Sequence, residues 1–215
     1  LADALRGHSD RINDGCFSPD GESVLTASRD HTVRLWTRGG QLRSVLSGHE
    51  HSVLSARFSP DGMRILSLSV DGTARLWDAD GRDLATLRGH HKAIQSGLFS
   101  RDGKYILTAS WDGTVRMWPG EGSCLTVLRA HRGALLRCVV SPDGTTIATV
   151  GEDRDVRLWR PDGQFVARLP PHKDQITGIG FSPDGNSLMT VARDGVTRVC
   201  SVADGSFLTL RSHAD

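Results

Sequence analysis

Lysine is nearly missing from this chain of 215 residues. Of its 26 basic residues, only Lys92, Lys104 and Lys173 are lysines. A total so rich in arginine suits bidentate contacts to phosphate; it is also what codon bias in a GC-rich genome produces. The 25 acidic residues bring the formal net charge to +1, and no basic run stands out, so nucleic acid is not the partner that composition favours. Long apolar runs are missing too: none approaches the ~20 residues a helix needs to cross a bilayer, and no secretory leader is visible. The four cysteines, Cys16, Cys124, Cys138 and Cys200, show no CxxC spacing and no paired pattern. That excludes a disulfide framework and predicts free, mostly buried thiols in a reducing, cytoplasmic setting, with no zinc. No Walker-type Gly-x-x-x-x-Gly-Lys, no HExxH and no unique nucleophile cluster occurs, so neither catalysis nor a cofactor is expected.

What the chain does have is one period. Hydrophobic residues make up 38% and charged residues 24%, the composition of a globular domain. A chain of this length buries roughly 70% of its unfolded surface without staples. Histidine recurs at His8, His49, His90, His131, His172 and His213, in steps of 41 residues. Aspartate recurs at the same spacing at Asp30, Asp71, Asp112, Asp153 and Asp194. Tryptophan follows at Trp36, Trp77, Trp118 and Trp159, and the fifth slot holds Cys200. Ser18, Ser59, Ser100, Ser141 and Ser182 each open a Ser-x-Asp-Gly turn. Several independent columns at one spacing identify an internal repeat.

Each unit reads as strands. In residues 48–88, "SVLSARF" runs into a Ser-Pro-Asp-Gly turn, and "MRILSLS" alternates with period two. Asp71-Gly72 marks a tight hairpin, because glycine accepts positive φ without cost. "TARLWD" alternates again, with Ala74 and Leu76 on one face and Arg75 and Trp77 on the other, and Asp80-Gly81 turns the chain into "DLATL". Four short antiparallel strands per unit, with no 3.6-residue periodicity, predict an all-β fold. One small sheet cannot hide both its faces, whereas copies stacked radially hide them against neighbours. The predicted architecture is therefore a β-propeller of four-stranded blades.

Gly-His, then Ser-Pro-Asp-Gly, then Ser-x-Asp-Gly-Thr-x-Arg-Leu-Trp-Asp resembles the WD-repeat propellers. "GHEHSVLSARFSPDGMRILSLSVDGTARLWD" (48–78) is the clearest unit, and the likeness covers the whole chain. It weakens in the fourth and fifth units, where Gly-His becomes Ala130-His131 and Pro171-His172. The resemblance implies a structural tetrad in each blade, with aspartate, histidine, hydroxyl and indole hydrogen-bonded in a row. Carried over position by position, the tetrads are His8, Thr26, Asp30 and Trp36; His49, Ser67, Asp71 and Trp77; His90, Thr108, Asp112 and Trp118; and His131, Thr149, Asp153 and Trp159. The fifth, His172, Thr190 and Asp194, lacks its indole. A Thr-His-Asp nucleophilic site uses the same residue types, but it would have to exist in five copies with a buried hydroxyl. The column Arg34, Arg75, Arg116, Arg157 and Arg198 keeps the fold period, so its stems are expected to pack on a neighbouring blade.

The chain starts at Leu1, and "LADALR" (1–6) aligns with "DLATLR" (83–88), the last strand of a unit; a sixth unit opens at His213. Units at 8–48, 49–89, 90–130, 131–171 and 172–212, with residues 1–7 as the last strand of a preceding blade, lead to the expectation of five complete blades from a longer, about seven-bladed ring. The alternatives are a five-blade ring, or an arc closed by a second copy of itself.

The resemblance also implies a binding rim, three positions per blade. Blade one offers Arg11, Asn13 and Arg29; blade two Ser52, Leu54 and Val70; blade three Ala93, Gln95 and Trp111; blade four Ala134, Leu136 and Glu152; blade five Gln175, Thr177 and Arg193. Trp111 stands where the other units carry Arg29, Val70, Glu152 and Arg193, so the fold does not require an indole there. Trp111 near Leu54, Val70 and Leu136, rimmed by Arg11, Arg29, Arg193 and Glu152, has the composition of an interaction hot spot. The expected function is a non-enzymatic scaffold or sensor that binds a protein partner or another domain of a parent chain. Uninterrupted units with arginine bias resemble the bacterial arrays attached to signalling or defence domains. Nucleic-acid binding by the arginines and Trp111 is the alternative.

Overall fold

A computed structural model describes residues 5–119, 124–203 and 206–211. It contains twenty strands and, among the described residues, no helix. The first sheet is β1 (Ile12–Phe17), β2 (Ser23–Ser28), β3 (Thr32–Thr37) and β4 (Leu42–Ser47). The second is β5 (Val53–Phe58), β6 (Arg64–Ser69), β7 (Ala74–Asp78) and β8 (Asp83–Leu87), and the third β9 (Ile94–Phe99), β10 (Tyr105–Ser110), β11 (Thr114–Pro119) and β12 (Thr126–Arg129). The fourth is β13 (Leu135–Val140), β14 (Ile147–Gly151), β15 (Val156–Trp159) and β16 (Phe165–Leu169). The fifth is β17 (Ile176–Phe181), β18 (Ser187–Ala192), β19 (Val196–Ser201) and β20 (Phe207–Arg211). Within every sheet the strands pair antiparallel in chain order. Of the segment expected as a preceding strand, residues 5–7 carry no strand and 1–4 lie outside the described residues, as does His213.

Period-two alternation gives each sheet two apolar faces, and both are used. Leu25, Ala27, Val33, Leu35 and Leu46 of the first sheet pack on Val53, Ala56, Ile65 and Trp77 of the second. The second sheet turns Leu66, Leu68, Ala74, Leu76 and Leu87 toward Ile94, Phe99, Ile106 and Trp118 of the third. The same columns repeat between the third and fourth sheets and between the fourth and fifth. We call the face toward the next sheet the front and the opposite face the back. Ala74 and Leu76 are front residues and Trp77 a back residue, as the alternation of "TARLWD" predicts. Each fully buried leucine contributes about 1.5–3 kcal/mol, so these layers, more than any one sheet, hold the fold. Five sheets stacked in this way are consecutive blades of a β-propeller.

The inner strands β1, β5, β9, β13 and β17 line the channel. Each contains a β-bulge: pairing skips Asn13, Leu54, Gln95, Leu136 and Thr177, the one unpaired residue in each inner strand. A bulge re-aims a side chain and increases local twist. Here it carries the middle rim position of every blade to the end of the inner strand.

Candidate functional site

The rim is built by one backbone bond repeated five times. The amide of the residue before each tetrad aspartate donates to the carbonyl of the residue just before the inner strand. Arg29 donates to Arg11, Val70 to Ser52, Trp111 to Ala93, Glu152 to Ala134 and Arg193 to Gln175, at 2.9–3.0 Å. Two rim positions of each blade are thereby brought side by side. In the first three blades a serine hydroxyl below adds a second tie: Ser28 donates to the carbonyl of Arg11, Ser69 to that of Ser52, and Ser110 to that of Lys92.

The tetrads stand behind this rim. Trp36 Nε1 donates to Thr26 Oγ1 at 2.8 Å, Thr26 Oγ1 meets His8 Nε2 at 2.8 Å, and His8 Nδ1 meets Asp30 Oδ2 at 2.7 Å. The indole supplies its only proton to the hydroxyl, so the hydroxyl proton goes to Nε2 and the histidine proton sits on Nδ1, facing the carboxylate. The same chain joins Trp77, Ser67, His49 and Asp71; Trp118, Thr108, His90 and Asp112; and Trp159, Thr149, His131 and Asp153. His172, Thr190 and Asp194 keep the two remaining links. Each carboxylate also accepts the amide that follows its histidine in blades one, two, three and five. Burial pushes Asp112 up, but bonds from Thr114 and His90 outweigh it and hold the carboxyl down at about 2. Asp30, Asp71 and Asp194 are lowered by the same competition between burial and donated hydrogen bonds. Burial lowers His90, His131 and His172 against the pull of their aspartates, which keeps these rings neutral. The hydroxyls of Ser67, Thr108 and Thr149 are fully enclosed. They hold the connector into each blade against its second hairpin and present nothing to a substrate.

The heads of the arginine column reach the connectors that lead into each blade. The guanidinium groups of Arg34, Arg75 and Arg116 lie over Gly7, Gly48 and Gly89, the glycines of the Gly-His connectors. Those glycines have φ near +151° to +152°, and a Cβ there would meet the arginine at under 3 Å. Where the glycine is replaced, Arg157 binds the carbonyl of Ala130, and Arg198 those of Pro170 and Pro171.

In front of the rim, the channel opens as a cavity of about 770 Å³. Seven of the eleven residues predicted for the partner face line it: Leu54, Gln95, Trp111, Leu136, Glu152, Gln175 and Arg193. Arg11, Asn13, Arg29 and Val70 stand apart from it, at the end of the rim formed by the first and second blades. Asn13 is committed to that seam: its amide donates to Ser52 Oγ at 3.0 Å and to the Val53 carbonyl at 2.8 Å. Trp111 remains 44% exposed with its backbone pinned. Five polar residues of the cavity wall escape a reading by rim positions: Asp14, Ser55, Arg57, Ser96 and Arg137. Arg57 Nη1 reaches Asp14 Oδ2 at 2.5 Å, and Ser55 donates to the same oxygen at 2.6 Å, a seam across blades one and two. Arg137 and Arg193 make no ion pair among the described residues, and Glu152 accepts the Ala134 amide at 3.3 Å. Three arginines therefore face two carboxylates, one of which is already neutralised. The signal for these residues was available as polar positions inside otherwise apolar inner strands. Cys138 also touches the cavity, but burial pushes its thiol up to about 12, so it holds its proton and is no nucleophile.

The family model of the WD domain, G-beta repeat, matches residues 2–37, 40–78, 81–119, 122–160 and 163–208. The chain belongs to the WD-repeat family. Each of the first four WD matches ends at or one residue past the third strand of a sheet, and the following match begins shortly before the fourth, so a blade joins two consecutive repeats. No protein of curated function gives a significant match. WD-repeat propellers generally serve as scaffolds for protein–protein interaction. No helix among the described residues is long and apolar enough to cross a membrane.

Proposed function

We propose that this WD-repeat chain is a non-enzymatic platform whose protein partner seats on the channel mouth, with Trp111 as the anchor. The observation that carries this reading is an indole left nearly half exposed at a turn fixed by a backbone bond, beside a cavity lined by Leu54, Leu136, Arg137, Glu152 and Arg193. A rigid aromatic next to arginines, at low entropic cost, is what interface hot spots are made of. The tetrads support the same reading, because their hydroxyls are spent on structure. In its finer form, the platform is the sensor or scaffold part of a bacterial signalling or defence protein and works in the cytoplasm. That rests on the uninterrupted 41-residue units and the arginine bias.

The test is capture from the source organism's lysate by immobilised wild-type chain, Trp111→Ala, Arg193→Glu and Leu84→Ala, the last an exposed outer-strand control. A partner kept by the wild type and Leu84→Ala, and lost with Trp111→Ala and Arg193→Glu, supports the reading. Equal capture by all four overturns it. Loss of capture in added salt together with nuclease sensitivity would favour nucleic acid instead.

A further inference from the structure

The channel mouth is divided by chemistry. From the second and third blades it offers Leu54 and Trp111, and Val70 is exposed on the rim of blade two. From the fourth and fifth blades it offers positive charge. Arg137, on β13 between the third and fifth blades, and Arg193, at the tip of the β18–β19 hairpin, line the cavity. Both are exposed, and neither makes an ion pair among the described residues. Arg132, Arg154 and Lys173 are exposed on the loops of the same two blades. The acids on those loops are engaged. Glu152 accepts the Ala134 amide at 3.3 Å and Asp174 the Gln175 amide at 2.6 Å. Asp155 is buried between Arg157 and Arg168, and Asp153 and Asp194 belong to tetrads. Arg154 is a separate sign. Its φ is 63° at the turn where Gly72, Gly113 and Gly195 stand at 73–82°. Left-handed backbone strains a residue with a Cβ, and strain of this kind collects at functional sites. Its Nη1 donates to the Lys173 carbonyl at 2.7 Å and so ties the turn of blade four to the connector of blade five.

We propose that the occupant of this mouth is an acidic peptide: an extended stretch of the protein partner that lays an apolar side chain on Trp111 and carboxylates on Arg137 and Arg193. This rests on the reading of the channel mouth as the partner's seat. Charge complementarity identifies the occupant. A guanidinium without a partner matches a carboxylate, which it holds through two parallel hydrogen bonds, and complementary charge steers encounter and fixes register. The cavity of about 770 Å³ admits a few side chains, so a segment enters it and a folded surface does not. Glu152, in the same wall, opposes the unbroken negative charge of a nucleic-acid backbone. Arg57 adds no free charge, because Asp14 already neutralises it.

Selection of short random peptides, displayed on phage, against the immobilised chain tests this. The enriched sequences are expected to combine Asp or Glu with a neighbouring Trp, Phe or Leu. A fluorescein-labelled synthetic copy of the most enriched sequence then reports affinity by anisotropy. Arg137→Glu with Arg193→Glu is expected to weaken it about tenfold or more, and Trp111→Ala by a similar factor. Leu84→Ala is expected to bind as the wild type does. Selection against the arginine double variant is expected to return basic sequences in place of acidic ones. The substituted side chains are exposed, so unchanged melting serves as the folding check. Uncharged or basic sequences that still need Trp111 would overturn the acidic class and leave the channel mouth as the seat. Acidic sequences bound equally by Trp111→Ala and by the arginine variant would overturn both. No enrichment over an unrelated control protein would overturn the proposal, and tighter binding of a labelled oligodeoxythymidylate than of the peptide would overturn it in favour of nucleic acid.

Discussion

His172 Nδ1 stands 3.3 Å from Asp194 Oδ2, whereas the same pair is 2.7–2.9 Å apart in the other four blades. The fifth blade is also the one with Cys200 in place of the indole, and with Val196 where the first three blades have a threonine hydroxyl on the aspartate. Its Met189, Leu208 and Leu210 are exposed. We expect β17–β20 to exchange amide hydrogens faster than the central blades, since opening follows the least buried, least bonded unit. Exchange read by mass spectrometry checks this; uniform protection across the five blades would refute it. The matching substitution is Trp118→Phe in the third blade. It leaves the Thr108 hydroxyl one partner short and is expected to cost about 1–3 kcal/mol in urea denaturation.

Acid should destabilise the chain in two stages. His90, His131 and His172 are held below the ordinary histidine value of 6.5, chiefly by burial. As pH drops through that value the unfolded chain takes up protons that the native chain refuses, so unfolding gains. Asp30, Asp71, Asp112 and Asp194 are lowered, Asp112 to about 2. Their contribution is complete above the ordinary carboxyl value of 3.8 and is lost as pH falls toward the native value. Urea midpoints measured at descending pH should therefore fall first near 6.5 and again below about 4. A midpoint that is flat from pH 7 to 5 would contradict neutral His90, His131 and His172.

Two backbone positions predict opposite effects of glycine and alanine. His31 has φ of 70° at the turn where three other blades carry Gly72, Gly113 and Gly195 at 73–82°. Left-handed backbone costs a residue with a Cβ about 1 kcal/mol or more, so His31→Gly is expected to stabilise by about 0.5 kcal/mol after its own entropic cost. Gly113→Ala is expected to cost at least about 2 kcal/mol, because its Cβ would lie 2.6 Å from the His131 carbonyl as well as carrying that strain. Thermal melting of the two variants decides between these directions.

Trp111→Ala should leave the melting curve within about 0.5 kcal/mol of the wild type, as an exposed side chain with no layer behind it, while abolishing capture of the partner. Arg193→Glu, in the cavity wall, should weaken capture more than Arg29→Glu, which stands outside it. Equal effects of the two arginines would place the binding surface on the outer rim.

The strands of the second unit, its hairpins and the two faces of "TARLWD" were legible in the residues, because each depends on chemistry within a few positions. So was the membership of the tetrads: histidine, hydroxyl, aspartate and tryptophan lie at set offsets inside one unit, and the WD resemblance names them. The rim was legible only in part. Period-two counting cannot foresee that Asn13, Leu54, Gln95, Leu136 and Thr177 are bulge residues, nor that the Asn13 amide is spent on the neighbouring blade. That the arginine heads lie over the connector glycines was hidden for a similar reason: a long side chain follows the space left by a glycine, and that space is a feature of the folded connector.

By itself, then, the order of residues determined a β-propeller built from 41-residue units, each knotted by its own hydrogen bonds. Only the tertiary structure decided that Asp14 pairs with Arg57, that Arg137 makes no ion pair among the described residues, and that Met189 and Ile12 are nearly half exposed. The physical reason is distance along the chain. Contacts inside a unit are set by strand geometry and turn chemistry, whereas contacts between units depend on the angle at which one sheet leans on the next, and no single unit encodes that angle.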